Sequence, residues 1–188
     1  MSHPVPNGNQ LTLDPKKYIV SKTDPKGVIE YGNDYFVEIS GYQNHELIGR
    51  PHNIIRHPDM PGVVFKLMWD RLKQHRNIFA VVKNMAKDGS HYWVITEFET
   101  KLDPLSNEIL HHSAYRKAAP QNVIDAVAPL YKTLLTIERE SGLEASEKYL
   151  AGYLEEQHKS YDEFIDDIIG NKGVFKFFFQ AMKKMFGG

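Results

Sequence analysis

The chain of 188 residues contains no cysteine. That excludes disulfides, thiolate zinc sites, cysteine-ligated iron–sulfur clusters, thioether-attached haem and a thiol switch, so any redox sensing must come from a bound cofactor. Charge of one sign is also lacking: 23 Lys and Arg stand against 24 Asp and Glu, a formal net charge of −1. Such a balance gives no general electrostatic reason to bind nucleic acid or an acidic polymer. No stretch reaches the apolar length that spans a bilayer, and the opening MSHPVPNGNQ lacks the basic start and apolar core of a secretory signal. The expectation is a soluble cytoplasmic protein with one well-buried domain and an appendage. No Ser-His-Asp arrangement, glycine-rich phosphate loop or pair of catalytic carboxylates stands out, so no enzyme activity is expected. The nine histidines do not make a metal motif, because His52 and His57 miss the i, i+4 helical spacing and His111 and His112 point to opposite faces of a strand.

What the sequence does contain is concentrated at residues 50–61, RPHNIIRHPDMP, where Arg50, His52, Arg56, His57 and Asp59 stand around Pro51, Pro58 and Pro61. Each proline fixes its own φ and pushes the residue before it out of the α region, so these polar groups sit on a stiff backbone. A rigid polar loop of this kind suits recognition. It equally suits a salt-bridged connection in which Asp59 orients His57 or caps the next helix.

Around this loop the pattern predicts an α+β domain with a five-stranded antiparallel sheet. YIVSKTD (18–24) and GVIEYG (27–32) read as strands, and NDYFVEISG (33–41) as a short helix with Asn33 as N-cap and Gly41 as stop. Residues 61–75 read as the clearest helix of this half, with Phe65, Met68, Trp69 and Leu72 on one stripe. Strands are expected at 78–84, 90–100 and 108–117. Beyond residue 120 the period becomes helical, with helices at 120–140, where Pro129 should kink or break the run, at 143–169 and at 173–186.

Alternation along 78–84 puts Ile78, Ala80, Val82 and Asn84 on one face and Phe79, Val81 and Lys83 on the other. If the first face points inward, Asn84 ends an apolar row, and an unpaired amide there costs roughly 1–3 kcal/mol. Asn84 therefore needs a partner, either a ligand or a neighbouring backbone group at the strand end. Phe65 and Trp69, one helical turn apart, offer aromatic contact to a ligand, although such a stripe is as readily core. Phe79, Val81, Trp93 and Ile95 make an apolar outer face that must be covered, by the N-terminal segment, by the helix from residue 120, or by a partner or second copy.

Taken together, GVIEYGNDYFVEISGY (27–42), ELIGRPHNIIRHPDMP (46–61), FKLMWDRLK (65–73) and VVKNMAKDGSHYWV (81–94) resemble the PAS sensor domain of bacterial aerotaxis receptors. The resemblance implies a PAS fold over residues 18–117, between a lead-in at 1–17 and a helical extension at 118–188. It further implies non-covalent FAD whose redox state is passed to a chemotaxis transducer. The implied cofactor-binding residues are Asn33, His52, Arg56, His57, Asp59, Phe65, Trp69 and Asn84. In that role Arg56 would grip the diphosphate through paired charge-assisted hydrogen bonds, while His57 would contact phosphate, ribose or the flavin edge. An amide such as Asn84 can serve a ring edge that changes from acceptor to donor on reduction.

This chain departs from the resemblance in two places. Where the family carries Gly-Glu-Pro-Trp, it has His75, Arg76, Asn77 and Ile78, which keeps the position apolar but removes the stacking surface of the Trp. It also shows neither membrane anchor nor coiled coil, which implies a stand-alone sensor needing a separate methyl-accepting chemoreceptor as partner. The alternatives are an interaction module with an empty pocket and a pocket holding another ligand, such as haem with a histidine axial ligand. At 173–186, Phe175, Phe178, Phe179, Met182 and Phe186 share a helix side with Lys176, Lys183 and Lys184 close by. Such a helix can dock on a partner, lie on an anionic membrane or pack back on its own protein, with acidic residues 162–167 as counter-charges.

Overall fold

The computed structural model describes residues 4–170 and 172–186, the side chains of 172–178 excepted. Asp24 organises the first turn, since its carboxylate accepts from the backbone of Lys26 and Val28 while Gly27 takes φ +84. That turn joins β1 (Ile19–Thr23) to β2 (Ile29–Gly32). Asn33 then caps α1 (Asp34–Ser40) by accepting from Phe36 N, and Gly41 ends it in the left-handed conformation. Next come a single-turn α2 (Asn44–Leu47) and a 3₁₀ turn at His52–Ile55 inside the proline-rich segment. The cavity-facing helix is α3 (Gly62–Lys73).

Strands β3 (Ile78–Met85), β4 (His91–Leu102) and β5 (Ile109–Ala118) form an antiparallel meander. The sheet order is β2-β1-β5-β4-β3, so the first and last strands meet in the middle, with Ile19 opposite Arg116. This is the expected five-stranded antiparallel α+β fold. The lead-in runs beside β4, with Leu11 N donating to the His91 carbonyl at 2.7 Å.

Four helices follow: α4 (Gln121–Ser141), α5 (Leu143–Glu156), α6 (Tyr161–Ile169) and α7 (Lys172–Phe186). Two expectations need correction here. Of the kink or break expected at Pro129, the break does not occur: α4 runs through it, and the Pro129 carbonyl accepts from Thr133 Oγ1. The span 143–169 is two helices, because His158 takes φ 54 and Ser160 starts a new one through a reciprocal capping box with Glu163.

The helical region closes the outer face of the sheet. Tyr131 of α4 stacks on Trp93 and donates its hydroxyl to the Val81 carbonyl at 2.7 Å, and Phe79 meets Phe179 of α7 edge-on. Phe179 and Met182, two of the residues expected on an apolar helix side, are fully buried; Phe175, Phe178 and Lys176 lie outside the described side chains. Lys183 pairs with Glu97 at 2.6 Å and Glu99 at 2.8 Å, while in the acidic stretch Asp162 pairs with Arg71 and Asp167 with Lys159.

Candidate functional site

The inner face of the sheet, α3 and the 3₁₀ turn enclose a cavity of about 370 Å³. One wall is the apolar stripe of α3, whose Phe65, Met68, Trp69 and Leu72 all reach it. Trp69 is held edge-on to His112, with ring centroids 5.4 Å apart, and Gly27 leaves room for it, since a Cβ at that glycine would lie 3.2 Å from the indole.

The opposite wall is the sheet, and it is unexpectedly polar. Period two brings Val82 and Asn84 of β3 inward, as the sequence predicts, opposite Val94 and Tyr92 of β4. Asn84 is buried next to the Tyr92 hydroxyl, yet neither its Nδ2 nor that hydroxyl makes a well-formed hydrogen bond, and the Thr96 hydroxyl on this face is likewise without one. Burial drives the Tyr92 phenol far up, with Arg116 and Asn84 nearby opposing it.

Arg116 of β5 is fully buried beside them. It donates from Nη1 to Ser21 Oγ and from Nη2 to His52 Nε2, both at 2.9 Å, and its guanidinium lies about 6 Å from the rings of Phe36 and Phe98. Burial lowers its pKa to about 10. His52, which accepts through Nε2, is held neutral: burial first, then the Arg116 charge, brings it down to about 3. Its ring stacks on Phe36.

Arg56 forms the cavity's third side. Its Nη2 donates to the Met60 carbonyl at 3.0 Å, its guanidinium covers the Phe65 ring at 4.5 Å, and its backbone bridges to Asn84. Burial lowers its pKa, and Glu138 acts in the opposite direction. The exposed Lys26 stands at the rim.

Of the eight residues expected at the site, His52, Arg56, Phe65, Trp69 and Asn84 line the cavity. The other three are occupied elsewhere. Asn33 spends its amide on the backbone, accepting from Val20 N and Phe36 N and donating to the Tyr18 carbonyl. His57 is buried against His91, and its Nδ1 accepts from Asp59 N at 3.0 Å. Burial, then Lys83, brings His57 down to about 4. Asp59 faces Lys83 at 2.9 Å and does not cap α3.

Sequence reasoning missed Ser21, Phe98, His112 and Arg116. For the last two the signal was available, since alternation along 108–117 places His112, Ala114 and Arg116 on one face. Ile78 is fully buried and does not reach the cavity wall; its cross-strand neighbour Phe98 does, and supplies aromatic surface there.

Comparison with known proteins agrees with this geometry. Residues 29–108 match the family described as PAS fold. The aerotaxis receptor of Escherichia coli K12 is 40% identical over 135 residues, 71% of this chain and 26% of the receptor. The bacterioopsin transcriptional activator of Halobacterium salinarum is 31% identical over 75 residues, 40% of this chain and 11% of that protein. The chain thus spans about a quarter or less of the curated relatives it matches. Among solved structures, a light-oxygen-voltage domain studied with a flavin analogue superimposes with a TM-score of 0.53 at 18% identity, over 62% of this chain and 86% of that one, which shows the shared fold.

Proposed function

This chain carries a PAS-fold domain related to the aerotaxis receptor, and on that premise we propose that it is a redox sensor that binds FAD in the cavity and signals to a chemoreceptor in energy taxis. In this reading residues 18–117 are the sensor, 1–17 the lead-in and 118–188 the helical cover, and the protein is a reporter and not an enzyme. The chemistry is the flavin's own: it gains and loses electrons, and the protein tunes and reports its state.

The observation that carries the proposal is the unpartnered Asn84 amide at the end of an apolar row inside a formed cavity. A buried amide without a partner is costly, and a heteroaromatic edge with alternating donors and acceptors relieves that cost. Four further features fit. The volume, about 370 Å³, suits the flavin ring system, with the diphosphate and adenosine lying toward the rim. Phe65, Trp69 and Phe98 supply aromatic surface, and Arg56 and Lys26 supply the cations a diphosphate requires. Arg116, a buried cation, favours electron density on whatever ring lies beside it. The haem reading gains no support from His52, whose Nε2 is engaged by Ser21 and Arg116.

Among the described residues no helix is long and apolar enough to cross a membrane. A cytoplasmic sensor would reach the membrane through its receptor, and the burial of Phe179 and Met182 favours that route over insertion of α7. The test is the absorption spectrum of freshly purified protein and chromatography of what denaturation releases. Flavin bands and released FAD are expected; a colourless protein that takes up no added FAD sinks the proposal, and a Soret band redirects it to haem.

A further inference from the structure

The N-terminus of α3 is capped from another part of the chain. Its own N-cap residue is Pro61, which offers no side-chain acceptor. Instead Glu138, near the C-terminal end of α4, places one carboxylate oxygen 2.7 Å from Gly62 N and the other 2.8 Å from Val63 N. Two of the helix's orphan donors are thereby satisfied by one charged group, in the position where the helix dipole favours a negative charge.

The same carboxylate stands beside Arg56, one of the cavity's cations. A Cβ built on Gly62 would lie 3.3 Å from Glu138 Oε2 and 3.7 Å from Arg56 Nη2, so the two groups flank one α-carbon. Arg56 in turn holds the Met60 carbonyl just before the helix and covers Phe65 in its first turn. One network therefore joins Glu138, the start of α3, Arg56 and Phe65. Glu138 lies outside residues 29–108 of the family match.

We propose that Glu138 is a positioning residue for the cavity: by fixing the start of α3 and counter-charging Arg56, it sets how Arg56 is presented to an anionic ligand group. The helical region thereby takes part in ligand affinity although no α4 residue lines the cavity. The choice of an anionic group rests on the FAD reading above; the positioning role does not.

The experiment compares parent, Glu138→Ala, Glu138→Gln, Arg56→Gln and the double variant Glu138→Ala/Arg56→Gln in the full chain, with FAD and riboflavin as probes. Glu138→Ala should weaken FAD by about tenfold, a coupling typical of groups in one network. Riboflavin, which lacks the diphosphate, should lose less, and Glu138→Gln, which keeps an acceptor but no charge, should fall between. Added to Arg56→Gln, Glu138→Ala should have little further effect on FAD. Parent-like FAD affinity in Glu138→Ala, or equal losses for both probes that add to Arg56→Gln, overturns the proposal. If the parent binds neither probe, the FAD reading fails, and amide hydrogen exchange decides the positioning role alone. Faster exchange across residues 56–65 in Glu138→Ala, with Val81 and Trp93 unchanged, supports it; unchanged exchange at 56–65 overturns it.

Discussion

The two faces of one sheet have been finished in opposite ways. On the outer face, Phe79, Val81 and Trp93 meet Tyr131 and Phe179 of the same chain, and of the two buried hydroxyls in that cover Tyr131 finds a carbonyl while Tyr161 of α6 does not. On the inner face the same strands hold Asn84, Tyr92 and Thr96 with polar atoms unanswered, beside a buried guanidinium and a cavity. An apolar surface is satisfied by any well-fitting apolar cover, so the chain can supply its own. A buried polar group is satisfied only by a complementary one, and leaving several unfilled makes sense when the complement arrives from outside.

The sharpest way to break that contrast is at Trp93. Replacing it by Ala removes the ring that Tyr131 stacks on, and should cost about 3–5 kcal/mol in urea unfolding while the folded fraction keeps parent affinity for FAD. A drop in affinity with the fold intact would show that the two faces are not independent.

Acid should act at His52 in the cavity and at His57 beside Lys83 and His91. His52 and His57 are lowered to about 3 and about 4, so the unfolded chain binds protons first as pH falls. Their contribution is whole above the unfolded value near 6.5 and is lost progressively down toward 4 and 3, amounting to about 2 kcal/mol for His52 at pH 5. Glu97, raised by burial, works in the opposite direction. Urea midpoints between pH 7.5 and 4.5 measure the slope. His52→Gln, which keeps an acceptor for Arg116, should flatten it, and an unchanged slope would remove His52 from the account.

Asn84→Leu sharpens the comparison by making the inner row resemble the outer one. The ligand-free protein should be unchanged or more stable by about 1 kcal/mol, while FAD affinity falls at least tenfold. Lost stability without lost affinity would mean that the amide serves the fold. The smallest effect belongs to Tyr131→Phe, which removes the hydroxyl from the Val81 carbonyl and should cost about 1 kcal/mol in unfolding with no change in FAD affinity.

How far the site was legible follows from where its parts lie in the chain. His52, Arg56, Phe65, Trp69 and Asn84 belong to compact motifs or to a clear helical or strand period, and all five reach the cavity. Asn33, His57 and Asp59 sit in equally telling motifs, but local backbone donors and Lys83 use them up. Competition of that kind leaves no trace in spacing. Ser21 and Arg116 gain their meaning only because β1 pairs with β5, a contact between residues 95 positions apart. The five strands were readable because alternation is local, whereas the division at His158 needed the capping box of Ser160 to be recognised. Glu138 carries no sequence mark of its role, since its partners are backbone groups about 75 residues away.

The central pairing of β1 with β5 also orders events during synthesis. The meander β3–β4–β5 can close through neighbouring strands, but β1 and β2, made first, have no place in the sheet until residues 109–118 have emerged. Long-range pairing of this kind carries the loop-closure cost of the intervening chain and is the slow part of assembly. Ser21, His52 and Arg116 meet only at that step, so the cavity cannot exist before it. A nascent chain ending before β5 has nothing to offer a ligand, and a ligand that stabilises the finished cavity selects chains that have completed the sheet.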